Sequence, residues 1–136
     1  MAYNLIEVVY THDVAEREYV KNVSLFESSP INSCVCLISQ TGDSTLTAVH
    51  LSAYSEDGTF INDVASEVVA NLHTIFGSVD SIHVLGAIQC WRGYVFWTEL
   101  QRFYDLQFSN HEEGTCYAEF EGSVMKYGFR HKACRQ

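Results

Sequence analysis

Over residues 61–76, Ile61, Val64, Ala65, Val68, Val69, Leu72, Ile75 and Phe76 recur with the i, i+3, i+4, i+7 spacing of a single helical stripe. A helix with one apolar stripe must lay it on another apolar surface. Asp57, Thr59 or Asn62 can cap its start, and Gly77 suits its stop. The rest of the chain offers strands to receive it. Residues 5–10 and 19–26 are strand candidates, and a loop at 27–33 holds the only proline, Pro30. Residues 34–39 form a short apolar run, Thr41-Gly42-Asp43-Ser44 a turn, and 45–53 a second strand, which together read as a hairpin. Residues 81–89 read as a buried strand. A second helix is expected over 96–108, with Phe96, Leu100, Phe103, Tyr104 and Phe108 toward the core. Residues 116–121 and 124–130, joined around Gly122, close the chain as a hairpin. This order is α+β rather than a regular alternation.

At 136 residues with 47% hydrophobic side chains, residues 1–136 are expected to form one domain. There is no apolar run of about 20 residues to span a membrane. The start, Met1-Ala2-Tyr3-Asn4-Leu5-Ile6-Glu7, lacks a signal peptide's basic and apolar regions. A cytoplasmic location is expected, or export without a classical signal peptide. A net charge of −9 repels phosphate backbones and anionic lipid, which argues against nucleic acid and membrane as partners. Nothing in the sequence sets the oligomeric state.

The cysteines are Cys34, Cys36, Cys90, Cys116 and Cys134. Their odd number, in a chain this apolar, points to free thiols rather than a disulfide framework. Cys34-x-Cys36 has no second pair and no His-x-x-x-His nearby, so no metal site is expected. Most of these thiols are expected to be buried as small hydrophobes.

Cys34 and His50 are the residues with chemical promise. Cys34 opens a strand directly after the Pro30 loop, and His50 lies on the next strand. Strand side chains alternate, so Cys34, Cys36 and Ile38 share one face, as do Leu46, Ala48, His50 and Ser52. With suitable register a thiol and an imidazole meet across the hairpin. An imidazole that takes the thiol proton leaves a strong nucleophile. Backbone N–H groups of the loop, around Asn32 and Ser33, can face a developing oxyanion, and Asn32 tolerates left-handed backbone angles. Ser28 or Ser29 can supply a hydroxyl to orient the imidazole. Cys36 is the rival nucleophile; the loop–strand junction favours Cys34. His12, His73, His83, His111 and His131 have no comparable partner in the sequence. Trp91-Arg92-Gly93-Tyr94 can line a groove, and Glu112-Glu113-Gly114 reads as a solvated turn.

Ile31-Asn32-Ser33-Cys34-Val35 resembles the Leu-Gly-Ser-Cys-Val segment of CheD, the chemoreceptor glutamine deamidase. It is also similar to the Leu-Ser-Gly-Cys segment of cytotoxic necrotizing factor and related bacterial deamidating toxins. Thr47-Ala48-Val49-His50-Leu51 matches the family's histidine on the following strand, within a residue. The family's threonine, six positions before the cysteine, falls on Ser28. Asn32 stands where the family has a small Gly or Ser, and the family's glycine-rich strand is reduced to Leu85-Gly86-Ala87. The resemblance implies a mixed β-sandwich flanked by two helices. It implies a hydrolase with Cys34 as nucleophile, His50 as base and Ser28 orienting His50. It also implies no cofactor, and a protein substrate bearing an exposed glutamine. Two other readings are a catalytically silent binding domain of the same fold and a cysteine hydrolase of small amides or esters.

Overall fold

The computed structural model describes residues 2–130, so His131 and Cys134 lie outside the described residues. Among the described residues, nine strands and two helices follow in the order β1 (Ile6–Glu7), β2 (Glu18–Val23), β3 (Leu25–Glu27), β4 (Val35–Gln40), β5 (Leu46–Leu51), α1 (Ala65–Phe76), β6 (Ser81–Gly86), α2 (Val95–Leu100), β7 (Asp105–Asn110), β8 (Thr115–Glu121) and β9 (Val124–Arg130). A 3-10 turn, Ile61–Val64, leads into α1, and another, Ile88–Trp91, follows β6. The strands form a six-stranded sheet, β1-β2-β5-β4-β6-β7, and a three-stranded sheet, β3-β8-β9. In the larger sheet the β1–β2 and β6–β7 pairs are parallel and the others antiparallel. No helix among the described residues is long and apolar enough to cross a membrane.

The apolar run at the start of β4 is explained by burial on both faces. Val35 and Leu37 join Val49, Leu51, Ile82 and Val84 under α1 and α2. Cys34, Cys36 and Ile38 face the other way, into a second cluster that includes Phe26, Cys116 and Ala118 of the smaller sheet. Each large aliphatic side chain buried here contributes about 1.5–3 kcal/mol.

Four sequence expectations are corrected. The helix expected over 96–108 is only Val95–Leu100; Asp105–Asn110 is a strand parallel to β6. Leu106 and Phe108 also satisfy a period of two, and pairing with β6 decides between the periods. Phe103 and Phe108 are accordingly 51% and 43% exposed rather than core. Residues 19–26 are not one strand. Asn22 takes φ 56, the β2–β5 register slips between Val20 and Val23, and Leu25–Glu27 crosses to the other sheet. The strand expected to reach residue 89 stops at Gly86. Neither Asp57, Thr59 nor Asn62 caps the 61–76 segment. Asp57 closes a turn with Ser55 and Thr59, and the Asn62 side chain accepts the Phe96 N–H at 3.2 Å.

Gly86 sits where β6 passes the start of β4. Its φ is 134°, and a Cβ there would lie 2.6 Å from the Cys34 carbonyl oxygen and 3.0 Å from the Val35 Cα. Gly86→Ala combines backbone strain with a clash against main chain, and should cost about 2–4 kcal/mol. Urea denaturation checks this; a loss below about 1 kcal/mol would show that the two strands part easily.

Candidate active site

Cys34 is fixed through its main chain. Its carbonyl accepts the Ala87 N–H at 3.0 Å, and the preceding Ser33 carbonyl accepts the indole N–H of Trp91 at 2.7 Å. The Ile31 N–H donates to the Gly114 carbonyl at 2.8 Å, tying the loop to the smaller sheet. The thiol is 4% exposed and reaches one wall of a cavity of ≈ 460 Å³. That volume lies within the range of small-ligand pockets. Glu16, Arg17, Ser33, Ser52, Trp91 and Tyr94 contribute to the walls.

The thiol donates to Glu16 Oε2 at 3.3 Å. Burial first, then the negative charge of Glu16 and this hydrogen bond, push the Cys34 pKa up to about 12. At rest the group is a thiol, not a thiolate.

Glu16 is delivered by a short strap, Val14 to Arg17, that His50 holds at two points. The Arg17 N–H donates to the His50 carbonyl at 2.7 Å, and His50 Nδ1 lies 2.8 Å from the Val14 carbonyl. Arg17 has φ 66, left-handed and unusual for a bulky residue. A carbonyl only accepts, so Nδ1 carries the hydrogen and the neutral ring leaves its lone pair on Nε2. His50 is fully buried, and Nε2 has no hydrogen-bond partner among the described residues. Burial lowers its pKa, against the opposing pull of the Val14 bond and of Glu16 and Glu18.

Cys34, Cys36 and His50 share a sheet face, but the residue directly across from His50 is Cys36. Cys34 is the diagonal neighbour, and no thiol–imidazole hydrogen bond is formed. Cys36 is fully buried beside Ser28 and Cys116, and absent from the cavity wall. Burial and the Cys116 contacts hold its pKa well above the usual thiol value.

Ser28 does not orient His50. Its Oγ accepts the buried Cys116 N–H at 3.0 Å, while the Val14 carbonyl takes the imidazole N–H. The chain's return to the smaller sheet after Glu27 turns the Ser28 side chain toward β8. Ser28→Ala would leave the Cys116 N–H buried and unpaired. It should cost about 1–3 kcal/mol of stability and change turnover per folded molecule less than about threefold. A larger kinetic loss, with stability intact by urea titration, would return the orienting role to the hydroxyl.

Asn32 and Ser33 are both exposed; Ser33 borders the cavity and Asn32 does not. Asn32 has no left-handed backbone: among the described residues only Asp13, Arg17 and Asn22 do so outside glycine. Trp91 and Tyr94 of the Trp91-Arg92-Gly93-Tyr94 segment do line the cavity. The other described histidines lie elsewhere: His12 faces Glu27, His73 the Tyr104 hydroxyl, and His83 and His111 stack on Tyr127 and Phe129. Glu16 and Arg17 escape sequence reading, because Glu16-Arg17-Glu18 looks like any solvated charged stretch. Among the described residues, no group of three or more His, Cys, Asp or Glu side chains is placed to hold a metal ion.

No family model, curated protein or solved structure matches this chain. The functional reading therefore rests on the geometry and on the short motif around Cys34.

Proposed function

We propose that the chain is a cysteine hydrolase that deamidates a glutamine side chain of a protein, with Cys34 as nucleophile and His50 as base. The observation that carries this reading is the pairing of a cavity-wall thiol with a buried, unpartnered imidazole lone pair on the same sheet face. A buried polar atom left without a partner is costly and calls for an explanation, and a catalytic role is one that fits His50 Nε2 here. Diagonal cross-strand neighbours lie about 7–8 Å apart at the backbone, within the combined reach of a thiol and an imidazole. A CheD-type mixed β-sandwich flanked by two helices belongs to the same proposal. The apolar cluster shared by the two sheets and the helices on the far face of the larger one support it.

In this mechanism His50 Nε2 takes the Cys34 proton, and the sulfur bonds to the carboxamide carbon of glutamine. The carbonyl oxygen becomes an oxyanion, for which backbone N–H groups near Ser33 and Cys34, on the cavity wall, are the proposed donors. The C–N bond then breaks, and the imidazolium proton leaves with ammonia. The neutral ring next deprotonates water, which adds to the thioester. The C–S bond breaks, giving glutamate and the thiol. The Val14 carbonyl keeps the ring in the tautomer these steps require.

The raised Cys34 pKa is the observation that favours a silent binding domain instead. Mass spectrometry of candidate proteins after incubation with the chain separates the readings: a gain of about 1 Da at one glutamine marks conversion of a carboxamide to an acid through the thioester. Release of ammonia from small amides alone would point to a small-molecule hydrolase. No modification of either class would leave the silent domain.

A further inference from the structure

We infer that Glu16 makes the Cys34 cavity select a neutral primary carboxamide over a carboxylate. The inference rests on the proposed deamidation and names the residue that would set its specificity.

The two oxygens of Glu16 are differently committed. Oε1 faces the Arg17 guanidinium, with Nη1 at 3.3 Å. That same nitrogen is held by Ser52 Oγ at 2.7 Å and by the Tyr54 carbonyl at 3.2 Å, and the Ser52 hydroxyl donates to the Tyr54 carbonyl at 2.6 Å. Arg17 thus ties Glu16 to the wall formed after β5. Oε2 faces the cavity and receives only the Cys34 thiol, a weak donor. The Glu16 side chain is 50% exposed, so an incoming group can reach it.

A primary carboxamide whose carbon approaches the sulfur carries two N–H donors. One of them can replace the thiol at Oε2 and satisfy that oxygen better than sulfur does. The exchange frees the thiol proton on the sheet face that holds the His50 lone pair, so the Glu16 contact that adds to burial in keeping Cys34 protonated is broken by the substrate itself. A carboxylate offers acceptors only and sets a second negative charge against Glu16. It cannot make the exchange. The acid formed by deamidation is repelled for the same reason, which clears the cavity after turnover.

Alkylation of the folded full-length protein with iodoacetamide and iodoacetate tests this without requiring turnover. The two reagents differ in presenting a carboxamide or a carboxylate, and in both the sulfur displaces iodide. Adducts are quantified by peptide mapping, with exposed Cys90 on the same cavity as internal reference for the diffuse field of the protein. The amide-to-acid rate ratio at Cys34 should exceed that at Cys90 by about three- to fivefold, the upper part of the range for one partly screened charge contact. Glu16→Gln should bring the two ratios within about twofold of each other, again on the scale of one screened contact. Asp43→Asn, an equal charge change in the β4–β5 turn, should leave both unchanged. Glu16→Gln also removes a charge that suppresses the thiolate, but that raises both rates and cancels in the ratio.

An unchanged Cys34 ratio in Glu16→Gln overturns the inference. Faster reaction with iodoacetate also overturns it, because Arg17 would then govern the cavity. So does the absence of any Cys34 adduct, since a carboxamide that cannot reach the sulfur is not being selected. Selectivity without deamidation of any protein would remove the proposed reaction and leave the selector standing. Deamidation with no response to Glu16→Gln would remove the selector alone.

Discussion

Cys34→Ala should abolish turnover, lowering kcat by about 10⁴-fold or more, because the other cavity thiol, exposed Cys90, sits on the turn after β6 and not on the sheet face of His50. The fold should survive. The side chain lost is small, it borders the cavity at the edge of the second apolar cluster, and its main-chain bond to Ala87 remains. The stability change should stay within about 1 kcal/mol. Cys36→Ala is the informative contrast. Cys36 is fully buried among Ser28 and Cys116, so its loss should cost about 1–2 kcal/mol while leaving activity per folded molecule near that of the wild type. If Cys36→Ala is the inactive variant and Cys34→Ala the active one, the nucleophile has been misassigned.

The second large effect is expected at His50, where two roles can be separated. Its Nδ1 anchors the Val14–Arg17 strap, and its Nε2 is the proposed base. Asparagine can place an N–H near the position of Nδ1 but has no basic nitrogen. His50→Asn should therefore hold the strap and lose turnover by about 10³-fold or more. His50→Ala loses both functions and should destabilise the protein by about 2–4 kcal/mol, through the lost hydrogen bond and the cavity left behind.

The pH dependence has a definite sign. Burial lowers the folded-state pKa of His50, so the unfolded chain binds the proton more readily. The stability that follows from keeping the ring neutral is fully present above the ordinary histidine pKa of about 6.5, and is lost as pH falls below it toward the folded value. Urea midpoints should drop between pH 7.5 and pH 5 in the wild type, roughly across that ordinary value. His50→Asn should lack this component of the drop. Equal drops in both proteins would mean that the imidazole stays neutral for no energetic reason connected with its burial.

Much of this architecture was legible because its periods were unambiguous. The 61–76 stripe had nothing to compete with it, and the run ahead of Gly42 read as one arm of a hairpin, as it is. Strand alternation grouped Cys34 with Cys36 and His50 with Ala48, and the β4–β5 register then puts both groups on one face. Other features depended on contacts that no local pattern carries. Residues 104–108 fit both a helical and a strand period, and only the parallel pairing with β6 decides. Ser28 was placed by its distance along the chain from Cys34, but a hydroxyl's direction depends on which sheet the backbone has joined. Glu16 reaches Cys34 from 18 residues away through a strap fixed by His50, so its role is tertiary from the outset.

The central strand β4 is hydrogen-bonded to β5 on one side and β6 on the other, and is buried on both faces over most of its length. The remaining cavity walls come from connections: the strap before β2, the stretch after β5 and the turn after β6. Sequence variation is therefore divided unequally around one site. Changes in β4 are punished by the core, whereas changes in the connections, away from the Ala87 and Trp91 contacts that hold Cys34, alter what enters the cavity. Descendants of this chain can change what the cavity admits by drift in loops, with the proposed nucleophile inherited unchanged.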